Sequence, residues 1–320
     1  MVLAKEKGIC LMARLTLVLL LLVPAAARAD SLVLILNGIP PTPEHEAQFG
    51  EWTDKTRTAL VENFGFPEDA VVVLPRPNAE DIRNAFQGFA GRVGADDVFY
   101  LFLIGHGSYD GRDYKFNIVR EDLTASDYSD LLSSLGAGRS VVINPTISSG
   151  ASIEALRGPD RVVVTATRTG TERNDTTFYT HFLDALANPA SDEDLNERLS
   201  VWEAFRYAAM SVARSYQERN LLATEHPQIS DNGGEPTGAD PEEIPALAQL
   251  THFNTATDLD VEDPVLRALL EERSQLEAAI AGLRVDRGFL PEAEYERRLE
   301  DLLVELALKN REIRAREGDR

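Results

Sequence analysis

The stretch Val98-Phe-Tyr-Leu-Phe-Leu-Ile-Gly-His-Gly-Ser108 decides the fold of this chain. It opens with an uninterrupted apolar and aromatic run that carries no charge. This pattern is typical of a strand buried on both faces at the centre of a parallel sheet covered by helices. The run ends at Gly105-His106-Gly107, which puts a titratable imidazole between two glycines. Open α/β sheets bind ligands at the carboxyl ends of their central strands, so His106 is the first candidate site residue.

Apolar runs on both sides of this stretch predict the rest of the sheet. Strands are expected at residues 31–36, 70–74, 139–144 and 161–167, with helical segments between them. Strands that alternate with helices at this spacing indicate a doubly wound, mostly parallel α/β sheet. No G-x-G-x-x-G follows the first strand and no P-loop occurs in the chain. Because these phosphate-binding fingerprints are missing, no cofactor is expected.

Residues 1–29 are predicted to form a secretory signal peptide. Three basic residues precede the apolar run 17–23, and Ala27-Arg28-Ala29 supplies the small-x-small cleavage pattern before Asp30. The apolar run is short for a membrane span, and an uncleaved anchor is the alternative. The protein is therefore expected to be secreted, with the periplasm as its compartment.

Cleavage of this segment changes two properties of the chain. The full sequence has a net charge of −21, and losing four basic residues and one acidic residue takes it to −24. A surface that acidic argues against binding to nucleic acid and against peripheral contact with an anionic membrane. Cys10, the only cysteine, is also removed. The mature chain then has no disulfide, no thiolate metal ligand and no thiol nucleophile.

The carboxyl-terminal part of the chain has a different pattern. Residues 229–262 are rich in Gly, Pro, Asp and Glu and are predicted to be a linker. Residues 263–317 are predicted to form a coiled-coil-like helical hairpin, with Asp263 as a cap and Pro264 at the first helical position. In the first helix Leu269, Leu276 and Leu283 repeat every seven residues, with Leu266 and Ile280 on the neighbouring seam. In the second helix the apolar residues with heptad spacing are Tyr295, Leu299, Leu302, Leu306 and Ile313. Each half is too short to be stable alone, so the hairpin must pack on itself, on the domain or on another chain, as an oligomer or partner contact.

Two strand-end motifs resemble a known family. They are Leu101-Phe-Leu-Ile-Gly-His-Gly-Ser108 and Val141-Val-Ile-Asn-Pro-Thr-Ile-Ser-Ser-Gly150. In order and spacing the pair resembles the legumain branch of the caspase, legumain and gingipain clan of cysteine peptidases. There, one strand ends in a His-Gly with the catalytic histidine, and the next parallel strand ends in the nucleophilic cysteine. The resemblance implies a caspase/legumain-like, three-layer α/β domain over residues 30–228.

The second motif departs from the family at the nucleophile. His106 and Gly107 match the catalytic His-Gly pair, but no thiol follows the next strand. Counted forward from the strand, Asn144 falls at the family's acidic position and Thr146 at the cysteine. Counted back from the final Ser-Gly, Ile147 falls at the cysteine. The register stays open, and both registers lack sulfur.

Three functions remain in view. The first is a catalytically inactive peptidase homologue that acts by binding a peptide or protein ligand. The second is a hydrolase or endopeptidase that uses the hydroxyl of Thr146 or Ser148 with His106 as base, which would need an orienting group such as Asp110 or Asp113. The third is a structural coiled-coil adaptor. A hydroxyl has a far higher pKa than a thiol, so the first function is favoured.

Further candidate residues lie outside the two motifs. Arg168, Glu172 and Arg173 follow the fifth strand, and the resemblance implies a substrate or peptide groove there; a charged, solvent-facing turn is the alternative. His45 stands between two glutamates, but adjacent residues do not converge on one ion, so no metal site is expected. The segment Glu225-His226-Pro227 is predicted to be a loop that ties the last helix of the domain back to the sheet.

Overall fold

The computed structural model describes residues 31–95, 97–241, 244–253, 263–285, 287 and 290–318. The predicted signal peptide, residues 1–29, lies outside the described residues. Within them, no helix combines the length and the apolar character that a membrane crossing requires.

The secondary structure alternates strands and helices and then continues in helices alone. In chain order the strands are β1 (Leu32–Asn37), β2 (Val71–Pro75), β3 (Val98–Ile104), β4 (Gly107–Tyr109), β5 (Tyr114–Phe116), β6 (Leu123–Thr124), β7 (Arg139–Asn144), β8 (Arg161–Thr165) and β9 (Gln228–Asp231). The helices are α1 (Pro43–Thr58), α2 (Ala79–Ala90), α3 (Ala125–Ser134), α4 (Ile153–Leu156), α5 (Phe178–Ala187), α6 (Val201–Glu218), α7 (Ala246–Leu250), α8 (Pro264–Val285) and α9 (Glu292–Gly318).

The main sheet has six strands in the order β2-β1-β3-β7-β8-β9. The first five are parallel, and β9 runs antiparallel to β8 at the edge. At its centre Leu101 of β3 lies between Leu34 of β1 and Val142 of β7. The prediction of a doubly wound, mostly parallel α/β sheet is confirmed. A small antiparallel sheet, β4-β5-β6, begins directly after His106.

Helices cover both faces of the main sheet. On one face, alternate residues such as Ile35 and Phe102 pack against α1, α5 and α6. On the other face, Leu34 and Leu101 pack against α2, α3 and α4 and against the small sheet. These central-strand residues are fully buried, as the continuous apolar runs require when both faces are covered. The layers are therefore helix, sheet and helix.

Helix starts in this domain carry the local signals that their sequences predict. Asn78 caps α2, and its side-chain oxygen accepts hydrogen bonds from the backbone N–H groups of Glu80 and Asp81. Asp81 returns a bond to the backbone N–H of Asn78 and completes a capping box. Such reciprocal bonds satisfy N–H groups that the helix itself leaves free.

The prediction of a linker over residues 229–262 is wrong for much of that interval. Residues 228–231 form the edge strand β9, and Ile229 is fully buried. Further on, Ala248 and Phe253 are also fully buried in the main core. Asp231 accepts hydrogen bonds from the backbone N–H groups of Leu247 and Ala248 and so holds the start of α7 against the sheet. Residues 254–262 lie outside the described residues.

The carboxyl-terminal helices α8 and α9 pack against each other, and α8 also packs on α7. Asp263 caps α8 as predicted, accepting a bond from the backbone N–H of Val265 at 2.9 Å. Six positions of the predicted seam are buried, namely Leu266, Ile280, Leu283, Tyr295, Leu306 and Ile313, and the other four are half-buried. Leu269 and Leu276 are half-buried, whereas Leu266 and Leu270 are buried.

Two charged residues also lie on the inner face of α8. Arg273 and Glu277 continue the buried row of α8 and face the α/β domain. Arg273 Nη1 donates to the backbone oxygen of Asn196 at 3.2 Å. Arg198 Nη1 lies 3.3 Å from a Glu277 carboxylate oxygen. The hairpin is thus docked on the loop between α5 and α6 by charged groups, which a pattern of apolar residues does not reveal.

Candidate functional site

The candidate site is the edge of the main sheet where β1, β3, β7 and β8 end. These four strands are parallel, so their carboxyl ends meet on one side of the sheet. His106 follows β3 by two residues, and the loop 145–150 follows β7. The loop 166–173 follows β8 beside them.

His106 and the loop 145–150 are direct neighbours, as the sequence predicts. A Cβ atom on Gly107 would lie 2.5 Å from Thr146 Oγ1 and 2.7 Å from the backbone oxygen of Ile147. Both distances are shorter than side chains tolerate, so the close approach of the two loops requires glycine at this position. The His-Gly motif therefore brings backbone, rather than a side chain, against the β7 loop.

Thr146, one candidate nucleophile, is held in a hydrogen-bond network. Its hydroxyl is 2.6 Å from the hydroxyl of Tyr114 and donates to Asn144 Oδ1 at 2.9 Å. Tyr114 also donates to Asn144 Oδ1, at 3.1 Å. Only 2% of Thr146 is exposed. Its hydroxyl acts here as a structural bridge between β5 and the end of β7.

The two serines of the loop are also buried. Ser149 Oγ accepts hydrogen bonds from the backbone N–H groups of Ala166 and Thr167, which fixes the β7 loop to the end of β8. Ser148 has a left-handed backbone, with φ of 57°, and its N–H donates to the backbone oxygen of Glu172. Within 145–150, Ile147 alone is half-buried rather than buried. An alkyl side chain is thus the most accessible one in this loop.

His106 is half-buried and packs edge-on against a second histidine. The ring centroids of His45 and His106 are 6.1 Å apart. His45 Nδ1 is 2.9 Å from Thr42 Oγ1, and its Nε2 is 3.3 Å from an Asp175 carboxylate oxygen. Burial, followed by the charge of His45, lowers the pKa of His106, with Asp175 acting in the opposite direction. His106 is therefore neutral at pH 7.

Among the described residues, no hydrogen bond joins the His106 ring to Thr146, Ser148 or an acidic side chain. The predicted orienting groups serve another purpose. Asp110 accepts bonds from the backbone N–H groups of Arg112 and Asp113. These bonds lower the pKa of Asp110 to about 2 and close the turn between β4 and β5.

The predicted binding residues after β8 divide into two kinds. Arg168 and Arg173 are exposed, and Arg173 Nη2 donates to the backbone oxygen of Tyr109 at 3.2 Å. Glu172 instead joins two segments of the chain, because its carboxylate accepts hydrogen bonds from the backbone N–H groups of Arg168 and His226. The His226 ring also contacts this carboxylate, at 3.0 Å. Glu172 is thus committed to holding loops together.

Glu225 is a buried carboxylate at the amino end of α5. It accepts bonds from the backbone N–H groups of Thr177 and Phe178 and from the Thr177 hydroxyl. The segment Glu225-His226-Pro227 therefore does tie the chain after α6 to the edge of the sheet, as the sequence predicts. Its anchors are the start of α5 and the loop after β8.

Two residues of this edge were not predicted. His45 is considered above only as a metal ligand, and Asp175 is not among the candidates. No local signal marks either, because their partner His106 is distant in the chain and only the parallel sheet brings them together. Among the described residues, the group of carboxylates with metal-ligand spacing lies at the other end of α5.

Comparisons with known proteins give little further information. No family model matches the chain. No curated protein matches it. A solved structure, a structural-genomics target from Geobacter sulfurreducens, is similar over 71% of this chain and 99% of its own, with 15% sequence identity and a TM-score of 0.44.

Proposed function

We propose that this chain is an exported, legumain- or caspase-like domain without peptidase chemistry, which binds a peptide or protein segment at the edge around His106. The observation that carries the proposal is the state of the Thr146 hydroxyl. It is buried, bonded to Tyr114 and Asn144, and not bonded to His106. A hydroxyl nucleophile needs a base within hydrogen-bond reach and an open path to the substrate.

The other hydroxyls of the loop support the same conclusion. Ser149 Oγ is occupied by two backbone N–H donors. Ser148 is 1% exposed and belongs to a backbone turn tied to Glu172. The accessible side chain, Ile147, carries no reactive group. On this proposal the chain keeps the order of the two motifs, and the groups around the nucleophile position serve structural roles.

Two exposed arginines at this edge supply guanidinium groups that can bind a ligand. Arg168 and Arg173 flank the loop after β8, and no acidic side chain of the described residues pairs with either guanidinium. Guanidinium groups bind carboxylates through paired N–H donors. In a chain with a net charge of −21, two exposed guanidinium groups without an acidic partner among the described residues favour a ligand segment that carries Asp, Glu or a terminal carboxylate.

A peptide library tests binding and hydrolysis on the same protein. We expect no labelling by a fluorophosphonate probe and no cleavage of the library. We expect acidic peptides to be captured, and the double variant Arg168→Gln, Arg173→Gln to weaken capture at least about tenfold, the scale of a lost charge-assisted pair. Arg83→Gln, an exposed arginine of α2, is the matched control.

The competing hydrolase function has a clear signature. Cleavage by the parent protein that both His106→Ala and the pair Thr146→Ala, Ser148→Ala abolish, with circular dichroism unchanged, would replace the binding proposal. Capture that Arg83→Gln weakens as much as the double variant would instead indicate non-specific charge attraction.

A further inference from the structure

The loop between α5 and α6 carries a second pattern, independent of the proposed function. It reads Asp192-Glu-Asp-Leu-Asn-Glu-Arg-Leu-Ser-Val-Trp-Glu203. Calcium loops of the EF-hand type span about 12 residues and take ligands from positions 1, 3, 5, 7, 9 and 12, with a backbone carbonyl at position 7. Those positions here are Asp192, Asp194, Asn196, the Arg198 carbonyl, Ser200 and Glu203. Each of the five side-chain positions offers an oxygen.

The fold brings these distant positions together. Oxygens of Asp192, Asp194 and Glu203 all lie within 4.8 Å of one another. The next helix, α6, starts at Val201, so Glu203 reaches back over the loop from its first turn. The sixth position, which is glycine in such loops, is Glu197, and its φ of 65° supplies the backbone turn that glycine provides there.

A cavity behind the loop is lined by a buried histidine that has an unpartnered ring nitrogen. It has a volume of about 270 Å³, and its lining includes Asp194, Asn196, Glu203 and His252. His252 is only 8% exposed, and its buried Nδ1 has no hydrogen-bond partner among the described residues. A buried imidazole nitrogen left unpaired costs free energy.

Electrostatics point to a cation as the occupant. Arg284 also lines this cavity, and its guanidinium donates to the side-chain oxygen of Gln249. Three carboxylates gathered this closely repel one another unless a cation or proton neutralises them. A hard, oxygen-seeking divalent cation fits the donor set.

We propose that residues 192–203 bind Ca²⁺ through Asp192, Asp194, Asn196, Ser200, Glu203 and one backbone carbonyl. The same loop receives the carboxyl-terminal hairpin through Asn196 and Arg198. Cation binding therefore orders the surface on which α8 docks. Six protein positions with hydration water suit the larger, flexible coordination of Ca²⁺ better than the octahedron of Mg²⁺.

Terbium luminescence and calorimetry test the site on the full mature chain after treatment with EDTA. Trp202, inside the loop, is positioned to sensitise Tb³⁺, and Ca²⁺ should displace it. We expect a Kd for Ca²⁺ on the order of 10⁻⁵–10⁻³ M, the range from sensor to extracellular modules. Asp194→Asn and Glu203→Gln should each weaken binding at least about tenfold; the latter keeps a side chain able to cap α6. Glu193→Gln, which removes a charge at a non-ligand position, should change Kd less than about threefold.

Three results would contradict the calcium proposal. Absence of saturable Ca²⁺ binding by calorimetry in the parent chain would overturn the site. Equal weakening by Glu193→Gln and Asp194→Asn would reduce the effect to general charge attraction and would also overturn it. Equal affinity for Mg²⁺ and Ca²⁺ would overturn the calcium assignment. Thermal unfolding of each variant in EDTA reports whether it is folded, so that weakened binding is scored only for folded protein.

Discussion

Removing the Glu225 carboxylate should destabilise the protein through the start of α5. Glu225 is 2% exposed and receives the backbone N–H groups of Thr177 and Phe178 at 2.9 and 3.1 Å. In Glu225→Ala both N–H groups lose this partner beside the core, at about 1–3 kcal/mol each. The negative charge that the helix amino end favours is lost as well. We therefore expect a loss of about 3 kcal/mol or more in the free energy of unfolding, whereas Glu225→Gln, which keeps an acceptor, should lose about 1–2 kcal/mol.

Urea unfolding at pH 7 and fixed Ca²⁺, followed by tryptophan fluorescence and circular dichroism, measures these losses. Glu218→Ala is the matched control, because Glu218 is an exposed glutamate near the end of α6. Its free energy of unfolding should change by less than about 0.5 kcal/mol. A loss below about 1 kcal/mol for Glu225→Ala would refute the assignment of Glu225 as the buried cap of α5.

Three further predictions concern processing, packing and pH. Exported protein should begin at or near Asp30 by intact mass, and a membrane-retained full-length product would indicate an anchor. Gly150→Ala should lower the free energy of unfolding by about 1–3 kcal/mol or more, because its Cβ would lie 2.2 Å from the backbone carbon of Arg168. Gly88→Ala on α2, where nothing lies within 4 Å, should stabilise by about 0.5–1 kcal/mol. Burial, then nearby guanidinium groups, lower the pKa of His252. The free energy of unfolding relative to that of His252→Gln should therefore be highest above about pH 6.5 and should decrease as the pH falls, because the unfolded chain binds the proton first. A difference that stays constant with pH, measured by urea unfolding with EDTA, would contradict this.

The central sheet could be predicted because its strands are buried on both faces. The runs that became β1, β3, β7 and β8 are continuous and apolar, which leaves little choice of structure. The edge strand β9 was missed because Ile229 is the one apolar residue among its four, although Ser230 is buried as well. Such a strand owes its structure to the neighbour β8 rather than to its own composition.

The candidate site could likewise be predicted only in part. His106 and the β7 loop were predictable because both follow recognisable strands. Their hydrogen-bond partners were not, because Tyr114 and Asp175 come from segments that only the fold brings near. The spacing of acidic residues from Asp192 to Glu203 was readable from the sequence but falls among loop residues, where composition alone suggests only a turn.

The helix α5 links the two proposed sites and also separates them. Its amino end is held by Glu225 at the His106 edge, and its carboxyl end leads into the loop 192–203. Ten residues of helix separate these ends, a length of about 15 Å. Most of its side chains, including Phe178 and Phe182, are fixed in the main core. A helix packed in this way has no second arrangement to adopt at low cost. We infer that a cation in the loop acts on the stability of the domain and on hairpin docking, and leaves the geometry around His106 unchanged.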